Sequence, residues 1–267
     1  QYFADYPKNI PDGKFDPLTV EPEWMLLSYH KTACASSSRS GFDPQNAFDE
    51  SIKSAWSATS GNSGEWLSVD LGKEYNVEAV QVNFADCFTK KKRAPMKEYG
   101  GTFTQERYIE EGLVRYEYRI EYSSNGTDWA PYKETQNTVF PHKLIPRRAR
   151  ARYIRIVFAS APYGQNFSIS GLRVFGLDNN KKPSAVSGEN AERTSATEAR
   201  LSWNSQNDAM GYCIRLGIAP DKLYNSILLY GQNDYTVTFL NKETEKYYFA
   251  VDSFNESGIT KGSTNEF

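Results

Sequence analysis

Trp66-Leu67-Ser68-Val69-Asp70-Leu71-Gly72 and Val80-Gln81-Val82-Asn83-Phe84 decide the fold. Leu67, Val69 and Leu71 alternate with Ser68 and Asp70, and Val80, Val82 and Phe84 alternate with Gln81 and Asn83. A period of two puts one set on a buried face and the other in water, so each stretch is predicted as a half-buried strand, the first ending at Gly72. The same alternation in Tyr116, Tyr118, Ile120 and Tyr122 runs into Asn125-Gly126, a dipeptide suited to a tight hairpin because glycine accepts positive φ. Further strands are predicted at residues 153–158 and 172–175. Helical windows are short, so residues 29–178 are expected to form an all-β sandwich or barrel.

On the C-terminal side, residues 179–187 are polar and cross no periodic pattern, which places a domain boundary there. A second β-rich series follows: Leu201 and Trp203; Tyr212, Ile214 and Leu216; Val237 and Phe239; then Tyr247, Phe249 and Val251, at the spacing of a small seven-stranded sandwich. On the N-terminal side, residues 1–28 carry Pro7, Pro11, Pro17 and Pro22 without a period, yet Tyr2, Phe3, Tyr6, Trp24, Met25, Leu26 and Leu27 are too apolar for a free linker. They read as an extended strap that packs on a neighbour.

The composition agrees and excludes several functions. The chain has 267 residues, room for two modest domains. Lysine plus arginine is 31 and aspartate plus glutamate 33, a net charge of −2, so nothing global draws it to nucleic acid. Mean hydropathy is −0.65 and no apolar run is long enough for a membrane span. The opening does not read as a signal peptide, and the chain is expected to begin inside a longer protein. Cys34, Cys87 and Cys213 have no metal-ligand spacing, and with His30 and His142 they build no zinc site. Buried free thiols are the expectation for all three, with a Cys34–Cys87 bridge as the alternative.

Five stretches arrive in one order: residues 46–58 (Asn46-Ala47-Phe48-Asp49 through Trp56-Ser57-Ala58), 64–72, Tyr122-Ser123-Ser124-Asn125-Gly126-Thr127-Asp128-Trp129, Ala151-Arg152-Tyr153-Ile154-Arg155-Ile156, and Ile169-Ser170-Gly171-Leu172-Arg173-Val174-Phe175-Gly176. Together they resemble the discoidin, or coagulation factor 5/8 type C, domain, the galactose-binding-like jelly-roll sandwich of carbohydrate-binding module family 32. The resemblance implies that Trp56, Trp66 and Trp129 are core aromatics. It also implies a structural calcium ion, for which Asp49 and Ser54 match. The family's glycine after the aspartate is Glu50 here, and Gly171 stands where the last strand often supplies a carboxylate, which removes an anionic ligand. Without an ion, Asp49 braces its own turn.

Residues 183–267 resemble a fibronectin type III domain through Trp203, Leu240 and the run Tyr247-x-Phe249-x-Val251-x-Ser253-x-Asn255-x-x-Gly258. Tyr247 would then be the corner tyrosine whose hydroxyl bonds back to the chain, and the domain a spacer. A strap with Tyr2-Phe3-Ala4-Asp5-Tyr6-Pro7 and Trp24-Met25-Leu26-Leu27-Ser28-Tyr29, a discoidin-like domain with Val82-Asn83-Phe84-Ala85-Asp86, and a fibronectin-like domain with Gly217-Ile218-Ala219-Pro220-Asp221-Lys222-Leu223-Tyr224 are together similar to the C-terminal region of bacterial glycoside hydrolases of the family 43 type, such as xylosidases or arabinosidases. The strap would then be the end of the catalytic propeller.

Within the chain, Glu110-Glu111 is the conspicuous acidic pair, but glycoside hydrolysis needs two carboxyl groups across a cleft, and adjacent residues face opposite ways in a strand and are usually solvated in a polar loop. No Gly-x-Ser-x-Gly elbow or phosphate loop is present. The basic run at residues 90–93 reads as a solvated tip or a polyanion contact, inside an unpatterned insertion at 85–115 whose aromatics keep a lid in view. Asn125-Gly126-Thr127 and Asn255-Glu256-Ser257 read as turns rather than glycosylation sites.

The reading is therefore a noncatalytic accessory region of a secreted, periplasmic or cell-surface polysaccharide-degrading enzyme. It binds plant cell-wall carbohydrate or braces the catalytic domain; the alternative is a protein-protein or surface-adhesion module with no sugar binding. A sugar needs an aromatic ring under its C–H face and planar polar groups for its hydroxyls. The loops at 39–45, 59–63 and 161–167 supply Phe42 or Tyr163 as the ring, with Arg39, Asn62 and Asn166 as donors.

Overall fold

The computed structural model describes residues 24–85, 87, 115–138, 142–242 and 246–267, without the side chains of 133–138, 142–144, 146 and 163. Most of the strap, the basic run, Glu110 and Glu111 lie outside the described residues. Among the described residues the protein is all-β, with only two 3-10 turns, Pro44–Ala47 and Pro162–Gly164.

The first sandwich comprises β1 (Met25–Leu26), β2 (Thr32–Ala35), β3 (Trp56–Ser57), β4 (Trp66–Phe84), β5 (Tyr116–Ser123), β6 (Ala130–Thr138), β7 (His142–Ser160) and β8 (Ser168–Leu177). Its two long strands, β4 and β7, serve both layers. The first half of β4 pairs with β2 and with residues 153–157 of β7, which continue to β5 and β6. The second half pairs with residues 142–151 of β7 and with β8, flanked by β1 and β3. Leu67, Val69, Ile154 and Ile156 from one layer meet Val80, Val82, Leu172 and Val174 from the other in one core.

Gly72 does not end a strand as the sequence suggests. It sits at φ +91 in a register shift between Asp70 and Tyr75, with its N–H on Asp70 Oδ1 at 2.8 Å. A residue free to take positive φ lets the strand bulge and pass from one layer to the other. Likewise the Asn125-Gly126 hairpin is wider than a two-residue turn. Ser123 and Asn125 side chains cap the amides of Gly126, Thr127 and Asp128, with Gly126 at φ +80.

Of the three tryptophans expected in the core, Trp56 is fully buried. Trp66 and Trp129 are not: both are half-exposed, and the Arg155 guanidinium lies 4.0 Å over the Trp129 ring and 5.9 Å from that of Trp66. Strand parity gives the reason for Trp66, since Leu67, Val69 and Leu71 already take the inward side. The cysteines are free thiols but not buried as expected: Cys34 is exposed beside Ser68 on the outward face, and Cys87 and Cys213 are half-buried. Met25 and Leu27, read as strap, are buried in the sandwich core, because β1 pairs with the end of β8.

The second sandwich begins at Ser187. Its three-stranded sheet is β9 (Ser187–Arg193), β10 (Ala199–Asn204) and β13 (Asp234–Val237). Its larger sheet holds β11 (Gly211–Gly217), β12 (Asn225–Tyr230), β14 (Tyr248–Asn255), β15 (Gly258–Thr260) and β16 (Asn265–Glu266). The last two both pair with β14, so one final strand is broken in two. In the gap the Gly262 N–H donates to Asp252 Oδ1 at 2.9 Å. Trp203, Tyr212, Ile214, Leu229 and Phe249 fill the core, and the Asn241 N–H donates to the Tyr247 hydroxyl at 2.7 Å.

Candidate functional site

Three loops meet at one end of the first sandwich. The segment after β2 is anchored by Trp56, whose indole N–H reaches the Ser37 carbonyl at 3.1 Å and Ser38 Oγ at 3.2 Å. It then turns at Arg39 to Phe42, where the Phe42 N–H donates to the Arg39 carbonyl at 2.9 Å. Both residues are tied to β3: the Arg39 N–H donates to the Ser57 carbonyl at 2.8 Å, and the Ser57 N–H to the Phe42 carbonyl at 3.2 Å.

The second loop, residues 58–65, is held to the first through Glu65. Ser36 and Ser37 hydroxyls donate to its Oε2 and the Ser60 hydroxyl to its Oε1. Burial raises the Glu65 pKa, but the hydroxyls of Ser36, Ser60 and Ser37 outweigh it and hold the carboxyl below its ordinary range. With its oxygens engaged this way, Glu65 is a brace for the loops rather than a proton-transfer group.

The third loop, 161–168, backs the other two. Ala58 N–H donates to the Phe167 carbonyl at 2.8 Å, and the buried Asn166 amide to the Ala58 carbonyl at 2.8 Å. A Cβ on Gly61 would lie 2.3 Å from the Gln165 carbonyl oxygen, so glycine is what permits this approach.

The sequence-derived sugar residues therefore divide. Arg39 and Asn62 are exposed at this end, with Phe42 half-exposed between the first loop and β3. Asn166 is 2 % exposed and its amide is spent on Ala58, so it shapes the loop from inside instead of offering a donor to a ligand. Tyr163 falls in the second 3-10 turn, with its side chain outside the described residues. The sequence reading missed Glu65, Ser37 and Ser60; the signal was a serine run, Ser36-Ser37-Ser38, and a carboxylate just ahead of a strand.

At the proposed metal loop, Asp49 Oδ1 accepts the Ser51 N–H at 2.9 Å and Oδ2 accepts the Ser54 hydroxyl at 2.6 Å, a closed side-chain turn. Glu50, at φ +58, pairs with Arg173 on β8 at 2.6 Å. The second carboxylate of the loop, Glu50, is thus taken by a guanidinium, and no group of three His, Cys, Asp or Glu side chains that could hold a metal occurs among the described residues. One carboxylate and one hydroxyl beside a fixed cation do not fit calcium.

The geometry also orders the molecule along its length. β8 starts at the loop end with Ser168 and finishes at Leu177, beside the second sandwich, and its ten residues span about 33 Å. The loops thus face away from the second sandwich.

The family comparison falls on this first sandwich. Residues 32–99 match the F5/8 type C domain family. The match runs from β2 through β4, and so takes in the first two loops of the end just described. Similar solved structures include chitosan-binding module 1 of a chitosanase/glucanase from Paenibacillus sp. IK-5, at 22% identity over 57% of this chain and 99% of that one, with a TM-score of 0.44. Module 2 of that enzyme, solved with chitotriose, is 18% identical over 56% of this chain and 99% of its own, TM-score 0.44. A fucose-binding module of Streptococcus pneumoniae is 19% identical over 57% and 95%, TM-score 0.42. No curated protein matches the chain. No helix among the described residues is long and apolar enough to cross a membrane.

Proposed function

We propose that the F5/8 type C-like sandwich binds carbohydrate at its loop end, as a noncatalytic accessory region of a secreted polysaccharide-degrading glycoside hydrolase. The observation that carries this reading is the convergence of three mutually braced loops that present Arg39, Phe42 and Asn62 at one end. A guanidinium and an amide direct hydrogen bonds to hydroxyls, and a phenyl ring offers its face to sugar C–H groups. Loops fixed beforehand lose little entropy when a ligand docks. The order of motifs supports a parent enzyme of the family 43 type, with the second, fibronectin-like sandwich placing the first.

Immobilised oligosaccharides test this. The panel holds xylan, arabinan and pectin fragments, chitotriose and fucosides, and the proteins are the parent chain and its Phe42→Ala and Arg39→Ala variants. Retention of the parent on at least one sugar, with at least tenfold weaker binding by Phe42→Ala, is the expected result. A folded parent that binds none of them overturns the reading in favour of a protein-binding module, for which exposed Ile218, Tyr224 and Leu228 on the second sandwich would be the contact to pursue.

A further inference from the structure

The sequence pattern makes the second sandwich a spacer, yet it is fastened to the first at the pole opposite the loops. Glu256, in the turn between β14 and β15, accepts from Lys31 Nζ at 2.7 Å and from the Tyr75 hydroxyl, with Lys73 Nζ at 3.9 Å. Its backbone carbonyl accepts the Asp178 N–H at 2.8 Å, and Asp178 in turn holds Lys73 at 2.5 Å. Burial, with the hydrogen bond to Glu256 and its charge, pushes the Tyr75 hydroxyl far up, so it stays a donor.

Apolar contacts surround this cluster. Phe254 is buried in the core of the first sandwich, and Met210, Tyr230 and Ile259 pack against that core. Tyr29 stacks on Tyr230 at 4.1 Å between ring centroids and 25° between planes. The connecting segment is bonded at successive points too. Asn179 accepts from Asn76, Lys181 from Asn255, Pro183 from Thr260 and Ser184 from Ser253, while the Ser184 N–H and hydroxyl donate to Asp208. A hinge needs a few residues free to change φ and ψ, and the bonds along this segment resist that.

We infer that the two sandwiches form one rigid body, held by the Glu256 cluster and the Tyr29–Tyr230 stack, so that residues 178–186 are a fixed joint and the second sandwich is a strut for the first. The inference does not depend on carbohydrate binding: a strut of this kind would set the direction of the loop end for any ligand. Its consequence is that the loop end cannot swing about its own connection.

Amide nitrogen relaxation on the intact chain reads this directly. Rigid coupling gives one rotational diffusion tensor for both sandwiches, and two distinct tensors in the parent chain overturn the proposal. Glu256→Ala combined with Tyr230→Ala is expected to split the tensor in two while each sandwich keeps its own slowly exchanging amides. If that variant fails to fold, Glu256→Gln with Tyr230→Leu takes its place. A folded variant that still tumbles as one body shows that these contacts are not the fastening and overturns their role.

Discussion

The Ser60 hydroxyl donates to the Glu65 carboxylate at 2.7 Å, and Ser37 donates to the other oxygen of the same carboxylate at 2.8 Å. One side chain thereby holds two loops of the candidate site in register. Glu65→Ala is expected to cost about 1–3 kcal/mol, at the low end because the carboxylate is partly hydrated. Glu65→Gln keeps one carbonyl acceptor and should lose less. Urea unfolding of the three proteins checks the order; equal midpoints would show that the loops hold without this brace.

Asp252 gives the second sandwich an acid-sensitive lock. It is 1 % exposed and accepts from Arg215 at 2.8 and 2.9 Å, Lys261 at 2.8 Å and the Gly262 N–H. Burial raises its pKa, but Arg215, Lys261 and the Gly262 amide outweigh that and hold it below the ordinary value. An unfolded aspartate takes up its proton near pH ~3.9, so this stabilisation is complete above that value and is lost as pH falls through the lower, folded one. Asp252→Asn should lower stability by about 2–3 kcal/mol at neutral pH, since Arg215 and Lys261 can still turn to water. The gap to the parent should close in acid. A gap that persists unchanged at pH ~3 and below would contradict this linkage.

Arg155 is the support for two half-exposed indoles rather than a ligand contact. Its guanidinium lies on the Trp129 ring and pairs with Glu121 at 2.5 Å. Arg155→Ala should cost about 1–2 kcal/mol through the lost cation–π contact and ion pair. Tryptophan emission should shift to the red as Trp66 and Trp129 gain water, with glycan affinity unchanged. A loss of affinity would move the binding surface from the loops to this sheet face.

Calcium is expected to leave stability unchanged. An ion at 100 times its Kd would add about 2.7 kcal/mol. In domains of this size that is a rise of several degrees in Tm. Melting curves in chelator and in millimolar calcium should superimpose, and a rise of several degrees would show that the Asp49 loop takes an ion despite Arg173.

Strand parity was legible across the first sandwich, where Leu67, Val69, Val80, Val82, Tyr118 and Ile120 face inward as the pattern requires, but not at Val237 and Phe239: β13 ends at Val237, and Phe239 beyond it is 52 % exposed. Parity also contained the answer for Trp66, which the family resemblance overrode. The joint was not legible. Glu256 lies in a polar turn between two strands, and only the three-dimensional approach of Lys31, Lys73 and Tyr75, far away in sequence, gives it a role. Asn166 looked like any loop amide, because sequence does not report that the Ala58 carbonyl needs a donor inside the fold. The loops themselves were found by exclusion from the strand pattern, which locates their ends but not the serine bridges to Glu65.

Hydrogen exchange on the intact chain, with and without a saturating oligosaccharide that the immobilised panel identifies, tests the central claim most directly. Protection is expected in residues 38–45 and 57–64, with the outer sheet face around Arg155 and the β11–β12 turn near Tyr224 unchanged. Protection confined to that sheet face or to the second sandwich, with the three loops unaffected, would contradict the account.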